Sequence, residues 1–448
     1  MHLRKMTLSL AIAATLGLAG NVQAEQDDTP PPQFERIATF PVFLNTDVAL
    51  ETVAEIVDAS QDGRTLVYTD SATGNLGFID IENPAQPQAD GVVAVGGEPT
   101  SVAVVGDYAL VAVNTSQDYV YPSGHLHVVD MQDRNIIATL DMGGQPDSVA
   151  VSPDGRYAAV VIENERDEDI FVDGVEGGLP QLPSGFLQIV DLVGHPTNWT
   201  TRQVDLTGLA DIAPEDAEAE YVDINENDIA AVTLQENNHL VFVNLETGRV
   251  VNHYSAGAVD LTQIDTVEDD VIRLTDSLDG VKREPDALAW VNRDKVATAN
   301  EGDFQGGSRG FSLFHRWGGL KWDAGNSYEH IAVRHGHYPE SRSENKGAEP
   351  EGAEFGRFGD KDYLFIGSER GNFVAVYRVY GGPDTEPKFI QLLPVSNGPE
   401  GLKAIPERNL FVVSSEVDDA GEGLRSTVSI FRWRRGYASY PTIVSEED

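Results

Sequence analysis

The stretch GGQPDSVAVSPDGRYAAVVIEN (143–164) decides the fold. Two β-rich runs flank an Asp-Gly turn, an acidic or proline step precedes the first run, and a polar residue closes the second. Apolar runs joined through such a turn mark a hairpin. The unit recurs as AEIVDASQDGRTLVYTD (54–70), GEPTSVAVVGDYALVAVN (97–114), AEYVDINENDIAAVTLQEN (219–237), REPDALAWVNRDKVATANEGD (283–303), PEGAEFGRFGDKDYLFIGSE (350–369) and PEGLKAIPERNLFVVSSE (399–416), which makes seven copies. A third apolar run follows every copy, from GFIDI (77–81) to VSIFRW (428–433). A fourth follows in six: VVAVG (92–96), IIATLD (136–141), RQVDL (202–206), VVNHYS (250–255), HIAVRH (330–335) and FIQLLPV (389–395).

Four antiparallel strands repeated seven times predict an all-β, seven-bladed β-propeller. The last unit lacks a fourth run, whereas RIATFPVF (36–43) has no unit of its own. Pairing this N-terminal strand with VSIFRW would close the ring and remove the unpaired edges that an open ring leaves. RRGYASYPTIVSEED, after 433, competes for the same place.

Around this core the chain divides simply. MHLRKMTLSLAIAATLGLAGNVQA (1–24) has a basic start, a short apolar run and small residues before the expected cut, as in a secretory signal peptide. Residues 25–35, EQDDTPPPQFE, read as a flexible leader, 36–433 as the propeller and 434–448 as a C-terminal tail. No later run approaches the ~18 apolar residues of a membrane span, so no membrane insertion is expected. The chain has no cysteine, which removes disulfides, thiolate metal sites, cysteine nucleophiles and a lipidated N-terminal cysteine. A periplasmic or secreted protein held by packing alone is expected. The net charge of −42 argues against nucleic acid and anionic bilayers as partners and is otherwise a solvated acidic surface.

In a blade the first strand is innermost and the second returns beside it. The start of one and the end of the other therefore emerge at one face. The repeat places polar residues at both points: Glu55 and Asp70, Glu98 and Asn114, Asp147 and Asn164, Glu220 and Glu236, Glu284 and Glu301, Glu351 and Glu369, Glu400 and Glu416. A ring of carboxylates around one channel mouth is the expected consequence. The longest connections, such as 164–185, 256–282 and 336–348, open at the same face and mark it as the working surface.

Hard cations such as Ca²⁺ take six to eight oxygen ligands. Glu284, Glu301, Asp303, Glu351, Glu369 and Glu400 are the candidate metal ligands. Each acid could equally accept backbone N–H groups and lock blade to blade. Arg283, Arg370, Asn300 and Glu301 are candidates for holding a small anionic ligand, although plain Arg–Glu pairing explains the arginines as well. His330, His335 and His337 could meet a transition metal only if the chain around RHGHY were extended. GGSRG (306–310) fits G-x-S-x-G but leads into a strand, where a nucleophile elbow needs a helix.

QPDSVAVSPDGRYAAVV with LQIVDL resembles the YVTN-type repeats of secreted bacterial propellers. REPDALAW…ATANEGD, PEGAEF…YLFIGSERGNFVAVYRV and GPEGLKAI resemble the choice-of-anchor I family of surface and periplasmic propellers. Members of that group are often labelled alkaline-phosphatase-like, and the PEG steps are similar to those of the esterase-like phytase family. The resemblance brings no catalytic set that matches residue by residue. No hydrophobic tail follows 433, so the anchor of the family is expected to be missing. Two functions follow as expectations. One is an envelope binding or scaffold protein with a divalent cation and a ligand, small anion or envelope protein, at the acidic mouth. The alternative is a metal-dependent hydrolase of phosphate or carboxylate esters.

Overall fold

The computed structural model describes residues 32–167, 169–172, 175–176, 178–380 and 386–435. The segments read above as signal peptide, and most of those read as leader and tail, lie outside the described residues. Seven four-stranded antiparallel sheets form the ring of a β-propeller. The innermost strands are Val57–Ala59, Glu98–Val105, Pro146–Val151, Ala219–Ile224, Leu288–Asn292, Pro350–Phe358 and Pro399–Ile405, here blades 1 to 7. Second strands such as Ile229–Leu234 are buried throughout, because a sheet covers them on each face, and they read as unbroken apolar runs. The fourth strand Arg249–Ser255 alternates exposed and half-buried residues, the pattern of an outer edge with one face in water.

Ring closure is as the sequence predicts. Pro32–Pro41 pairs antiparallel with Thr427–Arg435, with Phe34 opposite Trp433 and Pro41 opposite Thr427. The closing strand starts four residues earlier than Arg36, within the segment read as leader, because Phe34 is an anchor: it is 1% exposed and packs edge-on against Phe358, Tyr363 and Phe365. The third strand of blade 7 likewise runs on to Arg435.

Two expectations about the connections are corrected. HIAVRH is not a strand. Ser327–His335 is an α-helix with Tyr328, Ile331 and Ala332 buried on one face and Gly336 at φ 74° ending it. The fourth strand of blade 5 is the short Leu320–Asp323, reached through Gly318 and Gly319. In addition, the connection from blade 4 to blade 5 is no simple loop: Ala258–Ile264 and Asp276–Lys282 form a hairpin of their own.

Blades are locked to one another near the axis. Asp58 Oδ2 accepts the Val104 N–H at 2.7 Å, Asp223 Oδ2 the Trp290 N–H at 2.8 Å, and Glu354 Oε1 the Ala404 N–H at 3.0 Å. Each carboxylate thus satisfies a backbone donor of the next inner strand. Lys403 Nζ, 2.6 Å from Asp58 Oδ1, brings a positive charge to this layer, and Asp58 and Glu354 hold its pKa up against burial.

Candidate functional site

At the start of each inner strand one residue faces the axis. In five blades it directly follows a proline: Thr100, Asp147, Asp286, Glu351 and Glu400. Glu55 and Glu220 take the place in blades 1 and 4, each after an alanine. Asp147, Glu220, Asp286, Glu351 and Glu400, with Thr100 and Glu301, line a cavity of about 90 Å³. Ile56, Ser101, Tyr221, Ala353 and Leu402 line both this cavity and a wider one of about 560 Å³ toward the turn side, which also contains Lys403. The channel therefore has two chambers with a common waist.

Burial raises the pKa of every carboxyl in the upper ring, and the neighbouring acids raise it further. Asp147 is pushed up to about 8, first by burial and then by Glu218 and Glu55. Glu351 stands well above the usual carboxylate range through burial, Glu301 and Glu369, and Glu400 through burial, Glu55 and Glu416. Asp286 and Glu220 are raised in the same way. The buried Oε2 atoms of Glu351 and Glu400 have no hydrogen-bond partner among the described residues. An acceptor buried without a donor is costly, so these oxygens are poised for a proton or a cation.

Among the described residues, three carboxylate triads bring ligand oxygens within 4.8 Å of one another: Asp286, Glu301 and Glu351; Glu301, Glu349 and Glu369; and Glu163, Glu218 and Glu220. On the blade 5–6 side, cations already stand among them. Lys346 Nζ lies 3.2 Å from Glu301 Oε1 and 3.1 Å from Asp303 Oδ1. Arg342 donates to both oxygens of Glu349, at 3.0 and 2.8 Å, and Arg370 lies 2.7 Å from Glu369.

The structure brings together Glu301, Asp303, Glu351, Glu369 and Glu400 of the candidates named from sequence, with Arg370 at the rim. It sets the other three apart. Glu284, at φ 42°, turns away from the axis and its carboxylate accepts the N–H groups of Asp303 and Gln305 at 3.0 Å. Arg283 is buried and commits its donors to Asp323, Ser312 and the carbonyls of Ala256 and Ala258. Asn300 is 0% exposed and holds Thr298, Ser308 and Ser312. Glu284 and Asn300 shape the 301–310 loop, and Arg283 ties the outer strands of blade 5 to the blade 4–5 connection.

Sequence reasoning missed Asp286 in blade 5 and Thr100 in blade 2, where Glu284 and Glu98 were assigned to the ring. The residue after proline is the signal that finds both. Lys346 and Glu349 come from the connection before blade 6 and carry no repeat signature. The histidines do not converge: His335 Nδ1 bonds the Ile331 carbonyl, His337 Nδ1 that of Gly371, and His330 Nε2 that of Gln263. Ser308 of GGSRG is 2% exposed and accepts from Asn300, a structural hydroxyl.

Solved structures resemble this chain at low identity. Hydrazine synthase from Kuenenia stuttgartiensis is 14% identical with a TM-score of 0.54, over 86% of this chain and 96% of that one. The WD40 repeats of RRP9 are 8% identical with a TM-score of 0.60, over 90% and 100%. Virginiamycin B lyase from Staphylococcus aureus, in a catalytically inactive form with quinupristin, is 9% identical with a TM-score of 0.55, over 89% and 99%. At such identities the likeness is one of fold. No curated protein matches the chain. The choice-of-anchor I domain matches residues 55–306 and 304–381. With most of the propeller covered, the chain belongs to the choice-of-anchor I family.

Proposed function

We propose that this protein binds a divalent cation in its upper axial ring and uses the surrounding face to hold a ligand, as an envelope-associated or secreted binding module. Family membership and fold fit an exported propeller, and among the described residues no helix is long and apolar enough to cross a membrane. The periplasm, entered through the N-terminal signal, is the specific compartment of this reading. The observation that carries the cation is the pair of buried, partnerless oxygens on Glu351 and Glu400, beside Asp286 and Glu301, around a cavity of about 90 Å³. Its walls supply only oxygen ligands, six of them carboxylates, a donor set that suits Ca²⁺.

The test is metal analysis of the purified mature chain together with melting curves in CaCl₂ and in EDTA. A bound ion would stabilise the fold by about 2.7 kcal/mol at a hundredfold excess over Kd. Absence of bound metal, with melting indifferent to chelator, would overturn the reading. The hydrolase alternative needs the same ion and an anion clamp, and Arg283 is spent on structure. Turnover of aryl phosphates, phytate or aryl esters that depends on calcium would restore it.

A further inference from the structure

Most of the exposed large apolar side chains sit on connections that open at the acidic face, and they crowd into neighbouring blades. Tyr119, Val120 and Tyr121 lie on the blade 2 connection, and Ile170, Phe171 and Val172 on that of blade 3; Tyr121 and Phe171 are 66% and 65% exposed. Apolar tips clustered on one face of a soluble protein mark an interaction surface.

The charge beside these tips differs from that on the opposite half. On the blade 5–6 side, Lys346, Arg342 and Arg370 neutralise the carboxylates. Near blades 1 to 4 the one cation paired with the mouth acids among the described residues is the buried Arg166, which is committed to Asp216 and Glu236 and leaves Glu55, Asp147, Glu163 and Glu220 without an ion pair. The way Lys346 is delivered is instructive. The segment before blade 6 crosses the face, held by Arg309, whose guanidinium donates to the carbonyls of Ser343 at 2.7 Å and Asn345 at 2.8 Å, and it lowers one ammonium group among three acids. Backbone anchoring plus a half-buried lysine is thus a mode of occupancy this mouth already supports.

We infer that the blade 1–4 half of the face docks an extended segment of a partner protein in which Lys or Arg is flanked by apolar residues. The basic group meets the acids of this half that Arg166 leaves unpaired, Glu55, Asp147, Glu163 and Glu220, and the flanking residues pack on Tyr121 and Phe171. A second copy of the chain is disfavoured by the net charge of −42 on each, and so is an anionic bilayer or nucleic acid. Only a cationic partner answers the charge, and only one with apolar residues answers the tips. Asp147 and Glu220 also line the cation cavity, so the inference is tested without metal, where its outcome does not depend on a bound ion.

The experiment is fluorescence anisotropy of the full mature chain in EDTA and about 0.15 M NaCl, where surface charge is screened beyond ~8 Å. The probes are short labelled peptides alternating lysine with leucine, lysine with serine, and glutamate with leucine. The lysine–leucine peptide is expected to bind, the lysine–serine peptide about tenfold more weakly, and the acidic one not at all. Tyr121→Ser with Phe171→Ser should cost the first peptide about tenfold, while Trp317→Ser, an exposed tryptophan at the opposite face, should cost nothing. Equal binding of the two lysine peptides, indifference to Tyr121→Ser with Phe171→Ser, or equal loss in Trp317→Ser would overturn the inference. Partition of the chain onto zwitterionic vesicles through the same tips would overturn it in favour of a lipid surface.

Discussion

Glu351→Gln should make the metal-free protein more stable at pH 8. The oxygens of Asp286, Glu301 and Glu351 lie within 4.8 Å of one another. At that separation two unit charges repel by about 3 kcal/mol in an effective dielectric of ~20. Glutamine removes the share of Glu351 in two such repulsions and leaves an amide that can donate to the acids beside it. Proton uptake by the ring, and Lys346 beside Glu301, already relieve part of the repulsion in the native chain. The expected net gain is about 2 kcal/mol. With an unfolding entropy of ~2.1 cal/mol/K per residue over roughly 400 ordered residues, Tm should rise by about 2–3 °C. The assay is calorimetry in EDTA at pH 8 and pH 5, repeated with CaCl₂. At pH 5 the gap should close, because the native ring then holds its protons. In CaCl₂ the wild type should gain and Glu351→Gln should gain less. A lower Tm for Glu351→Gln in EDTA at pH 8 would refute the reasoning, since it would show that the Glu351 carboxylate is paired and stabilising.

Three further outcomes are expected. Glu55 and Glu369 are each raised from 4.5 to about 7, first by burial, so the folded chain keeps protons that the unfolded chain has released; metal-free stability should fall as pH rises between about 4.5 and 7, a slope that CaCl₂ should flatten in urea titrations. Lys346→Met frees Glu301 and Asp303 and should tighten calcium binding on the order of tenfold by isothermal titration; weaker binding would show that the lysine orients the ligands rather than competing with the ion. Phe34→Ala empties the aromatic socket of the closing strand and should cost about 3–5 kcal/mol in denaturant, whereas a loss under 1 kcal/mol would mean that the ring does not depend on that strand.

The blades were legible because each hairpin carries its own turn chemistry and because the second strands are buried on both faces. Ring closure was legible from an orphan strand at one end and a missing one at the other. The helix Ser327–His335 was misread although Tyr328, Ile331, Ala332 and His335 recur at helical spacing, because the repeat demanded a fourth strand there and LKWD is only four residues long. The acidic mouth was legible as a ring, but its membership was not fully so. Counting acids near the start of blade 5 favours Glu284, yet the proline step puts Asp286 on the axis, while Glu284 curls back to hold the next loop through contacts that no local pattern encodes. Lys346 was out of reach for another reason: its place depends on how Arg309 and Glu329, far apart in sequence and both buried, fasten the inserted segment over the blades.

The most direct measurement is the anomalous difference density of crystals grown with calcium and again with a heavier lanthanide. One strong peak is expected on the axis, within ligand distance of Glu351 and Glu400 with Asp286 or Glu301 completing the shell. Density confined to the outer surface, with the ring unchanged, would contradict it.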